Sequence, residues 1–547
     1  MVWAGILFLC FVIGGLAYLS LGHGFIELAW RNGVEVRPLL YLTLVVVAGC
    51  VCLSIWGNDK ILRYVLLIGA SYYVFVYLIL VFFRIRYPFE LEWMEGTCVD
   101  HVMRVLSGQQ LYVKPSLEFI PYIYTPFYFY LSAALSKIIG TGFMPLRLVS
   151  FVSSLGCFFV IFSIVKRETQ SVYWGIVSAC LFAATFRISG AWFDIARVDS
   201  LFLFFLLLAV YVVRFYSSAP SLVLAGALIS LSFFTKQTAL LSAILLMIYL
   251  LAFKRNNVFY FIGTVFVLIG GGILFFNNIH QGYFNYYIFY LPTHHGLIRE
   301  MLVDFWTKDI LLPSFIACGF AVFYFVWRAT VLDRDIVCMY MALFAGMILG
   351  SWVSRLHEGG YDNVLFPAYA IISILFGLGA HSLIEAVNVS FVNRRGVILR
   401  IVYSVCVLQF CFLFYNPVKQ IPTSKDLKAG KKLLGMISHI KGDVFIPFHG
   451  YLGVLAGKKS NTHEMALEDI LRTNNESDPN KERLIAQIKE AIRTQRFSAI
   501  ILDTRDWHGI EKYCPREEKI FEDDGVFWTV TGFRTRPDWI FLSKDQP

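Results

Sequence analysis

The sequence RIRYPFELEWMEGTCVDHVMRVLSGQQLYVKPSLEFIPYIYTPFYFYLSAALSKIIG, residues 84–140, is the longest polar-bearing interruption in an otherwise almost continuously hydrophobic N-terminal region. Three carboxylates, Glu90, Glu92 and Glu95, fall close together in it, and an aromatic, proline-containing run follows at 120–130. Charged, irregular backbone is unstable in hydrocarbon because its polar groups find no hydrogen-bond partners there. We therefore predict that this stretch folds on a membrane surface or lines a cavity.

The composition indicates a polytopic helical membrane protein. Hydrophobic residues make up 58% of the 547 residues and charged residues 16%, whereas average soluble domains carry about 25% charged residues. The net charge of +9 comes mostly from Lys and Arg in short loops between apolar runs. This distribution is typical of cytoplasmic anchoring, so we predict a membrane environment and no nucleic-acid partner.

Thirteen apolar runs approach the roughly 20 residues that a spanning helix needs, so we predict about 13 transmembrane helices. They lie at 2–21, 38–57, 61–83, 146–165, 172–191, 200–216, 220–234, 238–253, 257–277, 309–328, 336–354, 361–385 and 397–415. Basic residues occupy every second connection, which predicts a cytoplasmic N-terminus and an external C-terminal tail.

This orientation places several polar segments on the outer face. They are 84–145, 193–199, Lys236, 280–309 and 355–363. The alternation requires that 122–139 does not span, and its Pro126 and many aromatic residues favour a helix lying at the interface. The convergence of these segments on one side predicts a functional site there.

The chain divides into three predicted regions. Residues 1–60 carry additional N-terminal transmembrane helices, residues 61–415 form a membrane domain that includes the external loop 84–145, and residues 416–547 form a small extracytoplasmic α/β domain. In the last region the pattern predicts strands at 443–447, 498–502 and 539–542 and amphipathic helices at 425–438 and 482–493.

The first candidate site consists of Glu92 and Glu95. Residues three apart share one face of a helix, and Gly96 permits close approach of another group. Paired carboxylates suit a general base with a charge-stabilising partner, or a divalent-cation site. A solvated acidic turn is the alternative reading, which the neighbouring Trp93 and Met94 disfavour.

Other external segments add polar candidates. Helix capping alone explains Asp199, but Asp194 and Arg197 lie three apart at the mouth of a span, where ionisable residues are usually functional. Lys236 suits an anionic head group such as a phosphate, with a snorkelling lysine as the alternative. Arg355 is a candidate phosphate ligand. The remaining external candidates are His294 and His357.

Several motifs occur in an order that resembles the GT-C superfamily of integral membrane glycosyltransferases, of the protein O-mannosyltransferase and aminoarabinose-transferase type. The matching features are Glu92-Trp-Met-Glu95-Gly96, Leu106-Ser-Gly108-Gln-Gln-Leu-Tyr112, Tyr124-Thr-Pro126-Phe-Tyr128, Arg147, Arg197-Val-Asp199-Ser200-Leu and Phe234-Thr-Lys236. The resemblance covers about residues 60–415. The two preceding spans are an addition to the family's pattern.

The resemblance implies a GT-C fold and an inverting hexosyl- or pentosyltransferase. It would use a polyprenyl-phosphate sugar donor and a lipid, glycan or protein acceptor, on the outer face of what is by default the bacterial inner membrane. A carboxylate of the first loop would be the general base. The family's Asp-Glu pair is replaced here by Met94-Glu95, so Glu92 and Glu95 both qualify, with Glu95 preferred because it adjoins Gly96.

The resemblance also implies roles for the other candidates. Lys236, Arg197 and Arg355 would bind the donor phosphate. The substrate-lining candidates are Asp194, Asp199, Tyr124, His294 and His357. Glu95 and Asp194 are the candidate ligands of a divalent metal, and no other cofactor is predicted.

Two other function classes stay open from the sequence. A transporter or flippase for lipid-linked sugars would use acidic groups and Lys236 along a substrate path, but the charges collect on one face and no inverted repeat is visible. A membrane-anchored binding or assembly protein whose tail does the work is the third reading.

Overall fold

The structure, a computed structural model, describes residues 2–20, 23–56, 58–253, 257–330, 334–390, 394–510 and 516–543. Within these ranges, each of the thirteen predicted spans coincides with helix over most of its length. The prediction of a polytopic helical membrane protein with a small C-terminal sheet domain is confirmed.

The helices that precede the tail follow one another closely. In chain order they are α1 (Val2–Ser20), α2 (His23–Arg31), α3 (Val36–Trp56), α4 (Asp59–Arg84), α5 (Glu95–Leu106), α6 (Phe127–Ile139), α7 (Phe143–Thr169), α8 (Val172–Ala184), α9 (Asp199–Phe215), α10 (Ala219–Thr235), α11 (Ala239–Phe253), α12 (Val258–Val265), α13 (Gly271–Ile279), α14 (Tyr283–Asn285), α15 (Leu291–Thr293), α16 (Met301–Asp304), α17 (Leu312–Thr330), α18 (Arg334–Leu356), α19 (Phe366–Ser390) and α20 (Arg395–Cys411). Wider π-helical turns at Phe266–Gly270, Tyr286–Tyr290 and Phe305–Leu311, and a tighter turn at Asp362–Leu365, continue some of them.

Among the described residues, seven helical segments are long and apolar enough to cross a membrane, or eight if the bent pair Gly5–Leu19 and Gly24–Arg31 forms one span. Other apolar helices are shorter. The 13 residues of α8 extend only about 20 Å, since an α-helix rises about 1.5 Å per residue.

The chain between α8 and α9 is irregular yet almost completely buried. Residues 185–198 form turns, and of these only Arg187 is partly exposed. Irregular backbone inside a membrane domain is stable only where protein or a cavity surrounds it. This buried segment brings Trp192 and Arg197 to the candidate site.

The tail folds as a separate α/β unit. Its helices are α21 (Ser424–His439), α22 (Tyr451–Leu455), α23 (Glu464–Leu471) and α24 (Pro479–Arg493), and its strands are β1 (Val444–Phe445), β2 (Ala499–Leu502), β3 (Arg516–Lys519) and β4 (Trp539–Leu542). The sheet order is β1-β2-β4-β3, with β1 parallel to β2 and the other pairs antiparallel. The predicted tail strands and helices are all present; β3 was missed because its sequence, REEK, is charged and exposed.

The tail packs against the loop 84–145, called the first loop below, through a buried charge cluster. The ring of His449 lies between two carboxylates, with Nδ1 2.5 Å from Glu90 Oε2 and Nε2 3.4 Å from Asp503 Oδ2. Burial lowers the pKa of His449, but the two carboxylates outweigh it and raise this pKa to about 10. His463 also donates to the Trp93 carbonyl at 3.1 Å. Loop and tail therefore form one continuous surface around the candidate site.

Candidate active site

A cavity of about 490 Å³ lies where the membrane domain, the first loop and the tail meet. All five polar segments that were predicted to converge contribute to its wall. Five predicted site residues line it: Glu92, Tyr124, Arg197, Lys236 and His357. Within the described residues, Glu95, Asp194, Asp199, Arg355 and His294 are not part of its lining.

Glu92 is fully buried and has one free carboxylate oxygen. Its Oε2 accepts a hydrogen bond from the Met94 amide at 3.2 Å, whereas Oε1 has no partner among the described residues. Burial raises the pKa of Glu92 to about 8, and the positive charge of Arg197 only partly opposes this shift. A carboxyl that titrates near neutrality beside a cavity is suited to proton transfer.

Glu95, by contrast, has both oxygens fully used. Arg147 donates to Oε1 at 2.9 Å and to Oε2 at 2.7 Å, and the amides of Leu91 and Ala196 each donate at 2.7 Å. Burial opposes ionisation, but Arg147 and the amides outweigh it and hold the pKa of Glu95 below its ordinary value. Glu95 therefore ties the first loop to α7, and the preference for Glu95 over Glu92 as the base is revised.

The two glutamates do not share a helical face as expected. Helix α5 begins at Glu95 with Met94 as its N-cap, so Glu92 lies in the preceding turn. The turn directs the two side chains to different surroundings, Glu92 to the cavity and Glu95 to Arg147.

Arg197 is a buried cation whose donors meet neutral groups. Its guanidinium donates to the Tyr124 hydroxyl at 2.7 Å and to the Met94 sulfur at 3.1 Å, and it lies 4.8 Å from the Trp192 ring centroid. Its Nε has no partner among the described residues. A buried guanidinium held by a hydroxyl, a thioether and a ring is available to an anionic ligand.

Lys236 lines the cavity from the connection between α10 and α11. Its Nζ lies 2.7 Å from Asp199 Oδ1, which also accepts from the Asn363 amide at 2.9 Å. The residue is only 6% exposed, which argues against a snorkelling lysine. Asp199 makes no cap hydrogen bond at the start of α9, so it is a partner of Lys236 and not the predicted cap. An ammonium has three donors, so a bound anion can share it with Asp199.

Arg355 lies outside the cavity lining, in an ion-pair network. It bonds Asp309 at 2.9 Å and Asp362 at 3.1 Å, and Arg31 reaches Asp309 at 2.5 Å from the other side. Its third guanidinium nitrogen, Nη1, donates to the Gly360 carbonyl at 2.9 Å. The prediction that Arg355 binds a phosphate is corrected, because Arg355 lies outside the cavity lining and each of its three guanidinium nitrogens already has a protein partner.

The candidate metal pair does not fit a cation. Glu95 has no free oxygen, and Asp194 is paired at 3.2 Å with Arg84, which is itself fully buried. Across the part of the chain that the structure describes, no group of three or more His, Cys, Asp or Glu side chains is placed to hold a metal ion.

The two candidate histidines differ in position. His294 lies outside the lining, with its ring 4.1 Å from that of Tyr290. His357 lines the cavity and shares a hydrogen bond of 3.0 Å with His295, whose other nitrogen bonds the Asp469 carbonyl at 2.6 Å. His357 thereby links the membrane domain to the tail.

Sequence reasoning missed several wall residues. Trp192 adjoins the predicted segment 193–199, and Asn363 is the last residue of the predicted segment 355–363 but was not chosen as a site residue; their positions near Asp194 and Asp362 were the available signal. The tail residues on the wall are Met465, Asp469, Arg472 and Phe533. No local motif marked them, because only the packing of the tail on the loop brings them to the cavity.

Comparisons with known proteins found one matching family model and several similar solved structures. Residues 123–276 match the family model of dolichyl-phosphate-mannose-protein mannosyltransferases, and no match was found among curated proteins. The crystal structure of ArnT from Cupriavidus metallidurans bound to undecaprenyl phosphate superposes with a TM-score of 0.54 at 10% identity, covering 86% of this chain and 97% of that one. This chain has the GT-C fold. The archaeal oligosaccharyltransferase AglB from Archaeoglobus fulgidus, in complex with an inhibitory peptide and a dolichol-phosphate, aligns with a TM-score of 0.47 at 11% identity, over 80% of this chain and 69% of AglB.

The resemblance predicted from the sequence is thus confirmed. The residues that match the family model, 123–276, form part of the GT-C fold. The matched range includes Tyr124, Arg197 and Lys236 of the cavity wall. It excludes Glu92 and the whole tail. The family match and the fold together support a membrane glycosyltransferase of the GT-C type.

Proposed function

We propose that this chain transfers a sugar from a polyprenyl-phosphate donor to an acceptor hydroxyl, with inversion and with Glu92 as the general base. The observation that carries the proposal is one cavity that holds a carboxyl with a free oxygen and two buried cations, Arg197 and Lys236. The GT-C fold and the partial match to the mannosyltransferase family support this chemistry.

In the proposed reaction, the acceptor oxygen forms a bond to the anomeric carbon while the bond from that carbon to the phosphate oxygen breaks. The electron pair of the broken bond stays on the phosphate. Glu92 Oε1 takes the proton of the acceptor hydroxyl. Attack from the side opposite the leaving group inverts the configuration of the sugar carbon.

The two cations act on the leaving group. Negative charge grows on the phosphate oxygens as the bond breaks, and fixed donors in a water-poor site stabilise such charge strongly. Arg197 offers its unpartnered Nε, and Lys236 offers the ammonium protons that Asp199 does not use. Trp192 and Tyr124 hold the guanidinium in place.

The pKa of Glu92, about 8, suits this role. A base is most effective when its pKa lies near the working pH, because it then combines a useful ionised fraction with strong proton affinity. Burial, the cause of the raised pKa, also keeps competing water away from the reacting atoms.

The cavity would open on the outer face of the cytoplasmic membrane. By the family resemblance, this membrane would be the bacterial inner membrane. Cavity residues lie near the N-terminal ends of α7 and α9, whereas the basic residues Lys166, Arg167 and Arg214 lie at the opposite ends of these helices. Short basic connections favour the cytoplasmic side. The tail packs at the cavity end and would therefore also be external.

Transfer from a tritium-labelled pool of polyprenyl-phosphate sugars in membranes tests the proposal. Wild-type protein should release polyprenyl phosphate and move the label to an acceptor, and Glu92→Gln should not. Glu118→Gln is the matched control, because Glu118 belongs to the same loop but is exposed and paired with Arg496. Movement of intact labelled lipid between leaflets without release of polyprenyl phosphate would instead identify a flippase.

A further inference from the structure

An exposed aromatic ring of the tail stands beside the base. Phe533 is 62% exposed, and its ring centroid lies 5.9 Å from that of Trp93. Both residues line the cavity next to Glu92. Trp93 also packs against two other rings of the tail, with centroid distances of 4.8 Å to His463 and 5.9 Å to Phe448. The pair presents apolar ring surface to the cavity.

A closed turn holds Phe533 in this exposed position. The Thr529 amide donates to the Thr535 carbonyl at 3.1 Å, and the Thr529 hydroxyl donates to the Phe533 carbonyl at 2.9 Å. The amides of the two residues after Thr529 both donate to the Leu91 carbonyl at 3.1 Å. The turn is thus fixed within itself and against the loop, one residue from Glu92.

Gly532 shows how closely this turn approaches the base. Its φ of +73° lies in the left-handed region that favours glycine, and a Cβ there would stand 2.6 Å from the Glu92 Cγ. A side chain at this position would displace Glu92. The turn therefore places Phe533 at the cavity wall, directly after the glycine that lies against the proposed base.

The same wall carries a polar edge. Asp469, on α23, and Arg472, the residue that follows the end of α23, form an ion pair at the cavity. Asp469 is buried, and Arg472 Nε has no partner among the described residues. A pyranose ring has apolar C–H faces and a rim of hydroxyls, so aromatic rings flanked by a carboxylate and a guanidinium are its chemical complement.

We propose that the tail supplies the acceptor subsite and that the acceptor is a carbohydrate. A sugar ring lies between Trp93 and Phe533, whose ring planes are inclined at 53° to each other, with its rim hydroxyls on Asp469 and Arg472 and its reacting hydroxyl at Glu92. This inference rests on the proposed transferase function. A lipid alcohol would leave the charged pair unused, and a peptide backbone would offer no ring face to the two inclined aromatic rings.

Linkage analysis of the labelled product tests the acceptor class. The transfer assay with wild-type membranes should give a glycan in which a second sugar carries a newly substituted position, seen by permethylation and mass spectrometry. Release of the label as a single sugar from Ser or Thr by alkaline elimination, or its recovery on a lipid alcohol, would overturn the inference while leaving the transferase intact. Absence of polyprenyl phosphate release by the wild type would refute the transferase itself.

Substitution of Phe533 tests the subsite, with the identified product's unmodified glycan as the acceptor. Phe533→Ala should raise the KM for the glycan about tenfold, the change that about 1.4 kcal/mol of lost binding free energy produces, with little change in the KM for donor. Phe533→Trp, which keeps an aromatic ring at this position, should have a KM for the glycan close to that of the wild type. Arg534→Ala is the control, since Arg534 is exposed in the same turn and lies over Trp528, away from the cavity. Equal KM values for wild type and Phe533→Ala would contradict the subsite.

Discussion

The first loop carries two neighbouring glutamates in contrasting environments: Glu92 faces the cavity, and Glu95 faces the membrane domain. Both side chains are fully buried. On the membrane-domain side, Glu95 accepts four hydrogen bonds and its pKa is lowered; on the cavity side, Glu92 accepts one from Met94 and its pKa is raised. A buried carboxylate with all its partners stabilises a fold, whereas one left with a free oxygen beside a cavity indicates chemistry.

The largest expected difference between the two sides is in turnover. Glu92→Gln should lower kcat by roughly 10²–10⁴-fold, the range that positioned general bases contribute, with an unchanged thermal midpoint. Turnover of purified protein and a thermal scan of the same sample measure both. A stable Glu92→Gln protein with wild-type kcat would remove the base assignment, and Glu118→Gln controls for a general effect of the loop.

Glu95→Gln should act on stability. Removing one partner of a buried ion pair leaves Arg147 uncompensated and lowers the free energy of unfolding by about 3–5 kcal/mol. A thermal scan in detergent should show the loss, and the double variant Glu95→Gln, Arg147→Gln should lose less than the sum of the single variants because the two groups are coupled. A Glu95→Gln protein of wild-type stability without turnover would reverse the two roles.

Arg197 of the cavity and Arg355 outside it are expected to differ in the same way, in their effect on binding of the donor phosphate. Arg197→Ala should weaken binding of undecaprenyl phosphate by about 10- to 100-fold, since a hydrogen bond to a charged group contributes roughly 1.5–3 kcal/mol. Arg355→Ala should leave that affinity unchanged and lower the thermal midpoint, because Arg355 bonds Asp309 and Asp362. Equal loss of affinity in both variants would contradict the placement of the phosphate site.

The last comparison of the two glutamates concerns pH. Glu92 works deprotonated, so kcat/KM should rise with pH through about 8 and fall about tenfold per unit below it. Glu95 has a lowered pKa, so its contribution to stability is present above its unfolded pKa of about 4.3 and is lost as pH falls through the lower folded value. Initial rates and thermal midpoints across pH separate the two groups, and a kcat/KM that stays flat through pH 8 would contradict the role of Glu92.

The sequence predicted the spans, the tail elements and the convergence of polar segments because local hydrophobicity and charge patterns determine them. It did not separate Glu92 from Glu95, since the start of α5 decides their directions and Arg147 lies 52 residues away from Glu95. Arg355 looked like a free cation because its partner Asp309 is distant in sequence.

The site residues of the tail could not be predicted from the sequence either. Phe533 and Arg472 carry no local signal of function in the sequence. They reach the cavity through contacts such as that of His449 with Glu90, which join residues 359 positions apart. Patterns within a few turns of chain report secondary structure, whereas partners of a buried side chain come from tertiary packing.

The most direct test of the central claim uses a nucleophile that has no proton to lose. Azide can attack the anomeric carbon without a general base, so Glu92→Ala supplied with donor and azide should form the inverted glycosyl azide and release polyprenyl phosphate. The same variant should transfer almost nothing to its hydroxyl acceptor. If Glu92→Ala binds undecaprenyl phosphate normally yet azide restores no turnover, or if transfer to the hydroxyl acceptor persists at the wild-type rate, Glu92 is not the base.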